Sequence, residues 1–279
     1  MKPVSQIVLF GDSITQQSFS PGGFGVTLAD RYQRRADVLN RGFSGYNTRW
    51  ALEMLPLLRD STCSSTCFVT VFFGANDASL IEQNPRQHVP LEEYGANLKQ
   101  IVKHLRSNCP AATIVIVCPP PVCHEQRLTF LRTRYPDTFT GELERTNEAA
   151  GNYAATAEAV AAELSVPCVN LWQAMQDSAP NEAWHSFLSD GLHLSPQGNA
   201  FVAQALVDAI QASAPSLAVK PCPHTGGFGN SGSTCEGLVQ WGPWHDRIGI
   251  DTADHATAFR AHGAEETAAA AAQPDLTDN

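Results

Sequence analysis

Apolar runs of strand length alternate along this chain with stretches of helical periodicity, and that alternation limits the fold more than any other feature. Ile7-Val8-Leu9-Phe10, Phe68-Val69-Thr70-Val71-Phe72-Phe73 and Thr113-Ile114-Val115-Ile116-Val117 read as buried strands. Strands are expected near residues 4–10, 37–41, 68–73, 113–118 and 167–171, and helices near 25–35, 48–58, 91–107, 144–165 and 197–213. The last of these helices keeps Ala200, Phe201, Val202, Ala205, Leu206, Ala209 and Ile210 on one face. Strand and helix in alternation mean βαβ units, so the fold class is α/β, a parallel sheet with helices on both faces.

The first run breaks off on Gly11-Asp12-Ser13-Ile14-Thr15. A serine at the carboxyl end of a strand lies where open α/β sheets hold ligands, in the crevice beyond the strand ends. It can serve there as a nucleophile if a base takes its proton and a third group orients that base. The same residues also suit an ordinary strand-to-helix turn in which Asp12 or Ser13 is the cap. Both partners of a nucleophile occur downstream in Ser189-Asp190-Gly191-Leu192-His193-Leu194-Ser195-Pro196. Three residues apart, Asp190 can face the imidazole of His193 on a tight turn. Ser195-Pro196 marks a helix start as well, and the two readings are compatible.

Acyl transfer also requires donors for the oxyanion of a tetrahedral intermediate. The second run, Phe68 to Phe73, ends on Gly74-Ala75-Asn76-Asp77, which brings the Asn76 side-chain amide to the same sheet edge. In Val38-Leu39-Asn40-Arg41-Gly42-Phe43-Ser44-Gly45-Tyr46-Asn47-Thr48, a short strand gives way to glycines, and the amide of Gly45 is open to close approach. Each segment equally suits a plain turn, and Asn76 an Asx-turn.

Those four segments, in this order, resemble the GDSL, or SGNH, hydrolase family. Gly11-Asp12-Ser13-Ile14 fits its first block with isoleucine in place of leucine, Gly45 the second, Gly74-Ala75-Asn76-Asp77 the third and Asp190-Gly191-Leu192-His193 the last. Asn40 through Trp50, Pro119-Pro120-Pro121 and Leu188 through Asn199 look like the isoamyl acetate-hydrolysing esterase branch. The resemblance implies a three-layer α/β/α fold with a five-stranded parallel sheet in flavodoxin-like order. It also implies Ser13 as nucleophile, His193 as base, Asp190 as its orienting acid, and an oxyanion hole of Asn76, Gly45 and the Ser13 amide. It carries no metal and no cofactor. The expected activity is that of a serine esterase acting on small carboxylic esters, acetates by the branch likeness. A deacetylase or thioesterase would share the same blocks, and a non-catalytic binding module on a hydrolase fold is the alternative of another class.

The chain has no Gly-x-Ser-x-Gly elbow, the mark of the other large serine-hydrolase fold. Ser44, in the glycine segment, is expected to be structural, and His185, beside Trp184, to be a packed or surface histidine. Gly22-Gly23-Phe24-Gly25 falls short of a phosphate-binding fingerprint and is expected to shape the rim beside Ser13. Cys118 through Cys123 reads as a rigid loop at the active edge, either walling the acyl pocket or merely connecting.

A formal net charge of -10 argues against nucleic-acid or anionic-membrane surfaces, and the expected partner is a small neutral ester. No apolar stretch has the length of a membrane span and no signal peptide precedes the first strand, so a soluble cytoplasmic protein is expected. Its eight cysteines are expected to be mostly reduced. Cys63-x-x-x-Cys67 and Cys118 through His124 lack the second cluster that a zinc site needs. The division expected is an esterase domain over 1–217, an extension over 218–263 and a disordered tail over 264–279. Leu238, Val239, Trp241 and Trp244 of the extension need cover, either on the same domain near the ester pocket or on a second copy in a homodimer.

Overall fold

The computed structural model describes residues 4–62, 65–179, 181, 183–214 and 217. The expected extension over 218–263, with its tryptophans, and the tail over 264–279 lie outside the described residues, as does Cys63.

Five parallel strands form one sheet: β1 (Ser5–Gly11), β2 (Ala36–Gly42), β3 (Thr66–Phe72), β4 (Thr113–Val117) and β5 (Cys168–Val169), in the order β2-β1-β3-β4-β5. This is the expected flavodoxin-like order. β1 therefore lies inside the sheet, with Gly11 level with Gly42 of β2 on one side and Phe72 of β3 on the other. The chain leaves β1 towards one edge and returns to its other side for β3, so the strand order reverses at the carboxyl end of β1. Such a switch point opens a crevice for ligands.

Alternate side chains of the strands fill two cores. Ile7, Leu9, Phe68, Phe72, Val115 and Val117 face α2 (Phe24–Arg31), α7 (Leu171–Ser178) and α8 (Pro196–Ser213). Val8, Phe10, Val69, Val71, Ile114 and Ile116 face α3 (Thr48–Thr62), α4 (Leu91–Asn108) and α6 (Asn147–Leu164). Both faces are covered, and this is why the strand runs are apolar at every position. Ile7, Leu9 and Phe10 have no exposed surface, and each such side chain contributes roughly 1.5–3 kcal/mol on burial.

Three helices lie outside the expected set. α1 (Ser13–Gln16) is a single turn, α5 (His124–Arg134) buries only Arg127 and Leu131, and α7 follows β5 after one residue. Asn170 is the cause of that abrupt join, since its side chain accepts from the main-chain N–H of Gln173 and caps α7. The strand expected to reach 171 is thereby cut to two residues. α6 starts at Asn147 rather than 144, because Thr146 accepts from the N–H of Ala149 and is the cap. Glu144 and Arg145 are left in the preceding loop. α2 ends at Arg31, short of 35, in a turn where Arg34 has φ 62°.

Among the described residues no helix is long and apolar enough to cross a membrane. Cys67, Cys109, Cys118, Cys123 and Cys168 are free thiols.

Candidate active site

Asp12 and Ser13 divide between them the two roles open to the Gly-Asp-Ser turn. The Asp12 carboxylate caps α1, accepting from the N–H of Ile14 at 2.9 Å. That leaves the hydroxyl of Ser13 free for another partner, His193, with Oγ and Nε2 2.9 Å apart.

His193 is held from behind by its own turn. Nδ1 lies 2.8 Å from Asp190 Oδ2, while Asp190 Oδ1 accepts from the N–H groups of Leu192 and His193. The carboxylate thus folds the turn with one oxygen and orients the ring with the other. Gly191 makes this possible: it has φ +81°, and a Cβ there would lie 2.4 Å from Cys123 O. The N–H of Cys123 also donates to Gly191 O, so the Cys118 to Cys123 segment, irregular as expected, braces the histidine turn. Ser195 caps α8 immediately afterwards, its Oγ accepting from the N–H of Gly198, with Pro196 in the first turn. The segment thus both sets Asp190 against His193 and starts α8.

Burial alone would push the Asp190 carboxyl up, but the hydrogen bond and charge of His193, its main-chain N–H and the charge of Arg127 hold it well below the usual carboxylate range. Asp12, fully buried, is pushed up to about 6 by desolvation, against the N–H of Ile14 and the charges of His193 and Arg145. Asp77 is pushed up to about 7 by burial, against the hydroxyl and N–H of Thr48.

The remaining expected groups follow the carboxyl ends of the strands flanking β1, Gly45 after β2 and Asn76 after β3. Gly45 has φ +81°, a conformation that other residues seldom adopt. Among the described residues none accepts from the main-chain N–H of Ser13 or of Gly45. Asn76 uses one Nδ2 proton on Tyr46 O, at 2.9 Å, and retains the other. Three N–H groups without an acceptor thus belong to three adjacent strand ends, a supply of donors suited to a developing oxyanion.

Two arginines and a glutamate absent from the expected site join it. Arg127 of α5 donates to Asp190 Oδ2 at 3.2 Å and through Nε to Glu144 Oε1 at 2.8 Å. Arg145 donates to Glu144 Oε1 at 2.7 Å and to Asn76 Oδ1 at 2.9 Å. No local pattern marks them: Arg127 is on a helix without a strong apolar stripe, and Glu144 and Arg145 sit where the helical pattern was read to begin.

Other expectations resolve simply. Ser44 is exposed, and its N–H donates to Gln16 Oε1. His185 packs edge-on against Trp184 with ring centroids 4.2 Å apart. The glycine turn at 22–25 leads into α2, where the N–H of Phe24 donates to Asn199 of α8. His124 Nε2 accepts from the N–H of Asn147, and among the described residues no cluster of three His, Cys, Asp or Glu is arranged to hold a metal ion.

Comparison with known proteins shows the family. The family model of the GDSL-like lipase/acylhydrolase family matches residues 9–201. A GDSL esterase/lipase of Arabidopsis thaliana is 49% identical over 207 residues, covering 72% of this chain and 83% of that protein. The isoamyl acetate-hydrolyzing esterase 1 homolog of Homo sapiens is 44% identical over 218 residues, 76% of this chain and 84% of that protein. Among solved structures, a lipase/acylhydrolase from Enterococcus faecalis superimposes with a TM-score of 0.57 at 26% identity, over 75% of this chain and 96% of its own. The chain belongs to the GDSL-like lipase/acylhydrolase family and is a carboxylic ester hydrolase of that family.

Proposed function

We propose that the protein is a serine esterase that hydrolyses small, neutral carboxylic esters, of short-chain acyl and above all acetate type, through an acyl-enzyme at Ser13. The observation that carries this reading is the unbroken line from Ser13 Oγ to His193 Nε2 and from His193 Nδ1 to Asp190 Oδ2. Along it, His193 takes the proton as Ser13 Oγ attacks the carbonyl carbon, and Asp190 stabilises the imidazolium. The carbonyl oxygen becomes an oxyanion that accepts hydrogen bonds from the amides of Ser13 and Gly45 and from Asn76 Nδ2. When the intermediate collapses, the ester C–O bond breaks and the alcohol departs with the proton from His193. Water then attacks the acyl-enzyme, again giving its proton to His193, and the carboxylic acid is released as Ser13 recovers its own.

Acetate preference is supported by likeness to the isoamyl acetate-hydrolyzing esterase homologs. The net charge of -10 disfavours anionic esters. A fluorophosphonate probe combined with p-nitrophenyl esters from acetyl to octanoyl tests the reading. Expected are covalent labelling of Ser13, loss of turnover in proportion to labelling, and rates highest for the shortest acyl groups. Turnover that survives complete labelling would overturn it.

A further inference from the structure

We propose that Arg145 is a positioning residue of the oxyanion hole, setting the Asn76 amide directly and the Gly45 loop through Gln87. The inference rests on the oxyanion roles given above to Asn76 and Gly45.

Arg145 is only 4% exposed, and a guanidinium that deep is costly unless its donors are met. Four acceptors meet them: Ala75 O at 2.9 Å, Glu144 Oε1 at 2.7 Å, Asn76 Oδ1 at 2.9 Å and Gln87 Oε1 at 2.7 Å. Only one of the four is a carboxylate. The other three are neutral groups on the two segments that adjoin the proposed donors, an unusual destination for a buried cation whose purpose is pairing. Its charge is balanced by that one carboxylate, Glu144, which lies between Arg145 and Arg127, and Arg127 reaches Asp190. A continuous chain of hydrogen bonds therefore joins the base to the donors, running His193, Asp190, Arg127, Glu144, Arg145, Asn76.

The effect on Asn76 follows from what each neighbour can do. A carboxamide has nearly the same shape in its two flipped orientations, so contacts alone do not select one. Arg145 only donates and Tyr46 O only accepts, and between them they admit a single orientation, with oxygen towards the guanidinium and one N–H left over. A cation on the amide oxygen also draws electron density from the nitrogen, which makes the spare N–H a stronger donor.

Gln87 extends the same control to the second loop. Its Oε1 accepts from Arg145 and from Asn84, which forces Nε2 to face the other way, where it donates to Gly45 O at 2.8 Å. The backbone at Gly45 is thereby pinned in its positive-φ conformation from the same guanidinium.

A double-mutant cycle on the full chain, read by kcat and KM for p-nitrophenyl acetate, tests this. Arg145→Lys keeps a cation beside Glu144 but cannot fork to Asn76 and Gln87 together. Its kcat is expected to fall about 10–100-fold, less than the roughly 10²–10³ for loss of a donor, with KM within about twofold. In an Asn76→Ala background the same substitution is expected to cost at least about threefold less in kcat, because the amide that Arg145 sets directly is gone and only the route to Gly45 through Gln87 remains. Equal losses in both backgrounds, or a rise in KM at constant kcat, overturn the inference while leaving the oxyanion reading in place. Wild-type kcat in Asn76→Ala overturns that reading and the inference with it. Should Arg145→Lys fail to fold, Gln87→Ala, at a partly exposed loop position, decides: a kcat loss of about 3–10-fold at constant KM supports the inference, and an unchanged kcat overturns it.

Discussion

Ser13 Oγ and His193 Nε2 lie 2.9 Å apart although 180 residues separate them in the chain. Nothing local holds them together. Their meeting depends on β1 lying inside the sheet and on α8 packing against α2, which brings the turn before α8 over the end of β1. Ser13 and His193 thus each lie beside a separate helix cap, Asp12 of α1 for one and Ser195 of α8 for the other.

Ser13→Ala removes a hydroxyl whose hydrogen-bond partner is His193, so folding should be unaffected. Turnover of p-nitrophenyl acetate is expected to fall roughly 10⁴-fold or more, with residual rate from the remaining donors and binding. Unchanged turnover in a variant that melts normally would refute Ser13 as nucleophile.

Asp190→Asn leaves an oxygen for the N–H groups of Leu192 and His193 but turns an NH₂ towards His193 Nδ1, which selects the wrong tautomer. A drop of about 10⁴ in kcat with little change in KM is expected. In the parent enzyme, turnover should fall on acidification with a one-proton slope, because the Asp190 carboxyl, held low, stays ionised and contributes no second proton. A pure rise in KM for the variant, or a flat profile for the parent, would count against the relay.

For Asn76→Ala, two measurements should move together. Loss of a donor to the oxyanion predicts a fall of about 10²–10³ in kcat at nearly constant KM. The same truncation leaves the buried Arg145 without one acceptor, so Tm should fall as well. A lowered Tm with full kcat would mean that the amide only braces its turn.

Asp77 predicts how stability changes with pH. Its carboxyl titrates near 7 in the folded chain but at 3.8 when desolvation is absent, so between those values the native state holds the extra proton. Stability from this group is complete below pH 4 and declines as pH rises to 7. Asp77→Asn removes the decline, keeps an acceptor for Thr48, and should gain several degrees in Tm over the parent between pH 5 and pH 8. A Tm difference that does not vary with pH would show that Asp77 is not protonated by burial.

The sequence exposed those parts of the site that are local to one chain segment. Asp190 and His193 share a turn, and Ser13, Gly45 and Asn76 each follow the end of a strand within a few residues, so the ends of apolar runs and the small residues beyond them point to them. β5 was read too long because Val169 continues an apolar run while one capping residue, Asn170, ends it. Arg127, Glu144 and Arg145 were missed for a different reason. Charged residues in a sequence look like solvated surface, and only the packing of α5 and the loop before α6 over the sheet edge reveals that Arg127 and Arg145 are 6% and 4% exposed. Their role is set by partners that lie 58 to 70 residues away.

The strand order also has a consequence for the chain during its synthesis. Ser13 leaves the ribosome ahead of four of the five strands, whereas His193 emerges only after all five have been made. β1 cannot take its interior place until β3 arrives, and the base cannot be seated until α8 has closed over α2. A nascent chain therefore carries a Ser13 hydroxyl without its histidine partner while the 180 positions to His193 are made, and the appearance of hydrolytic activity would report that the sheet and α8 have closed.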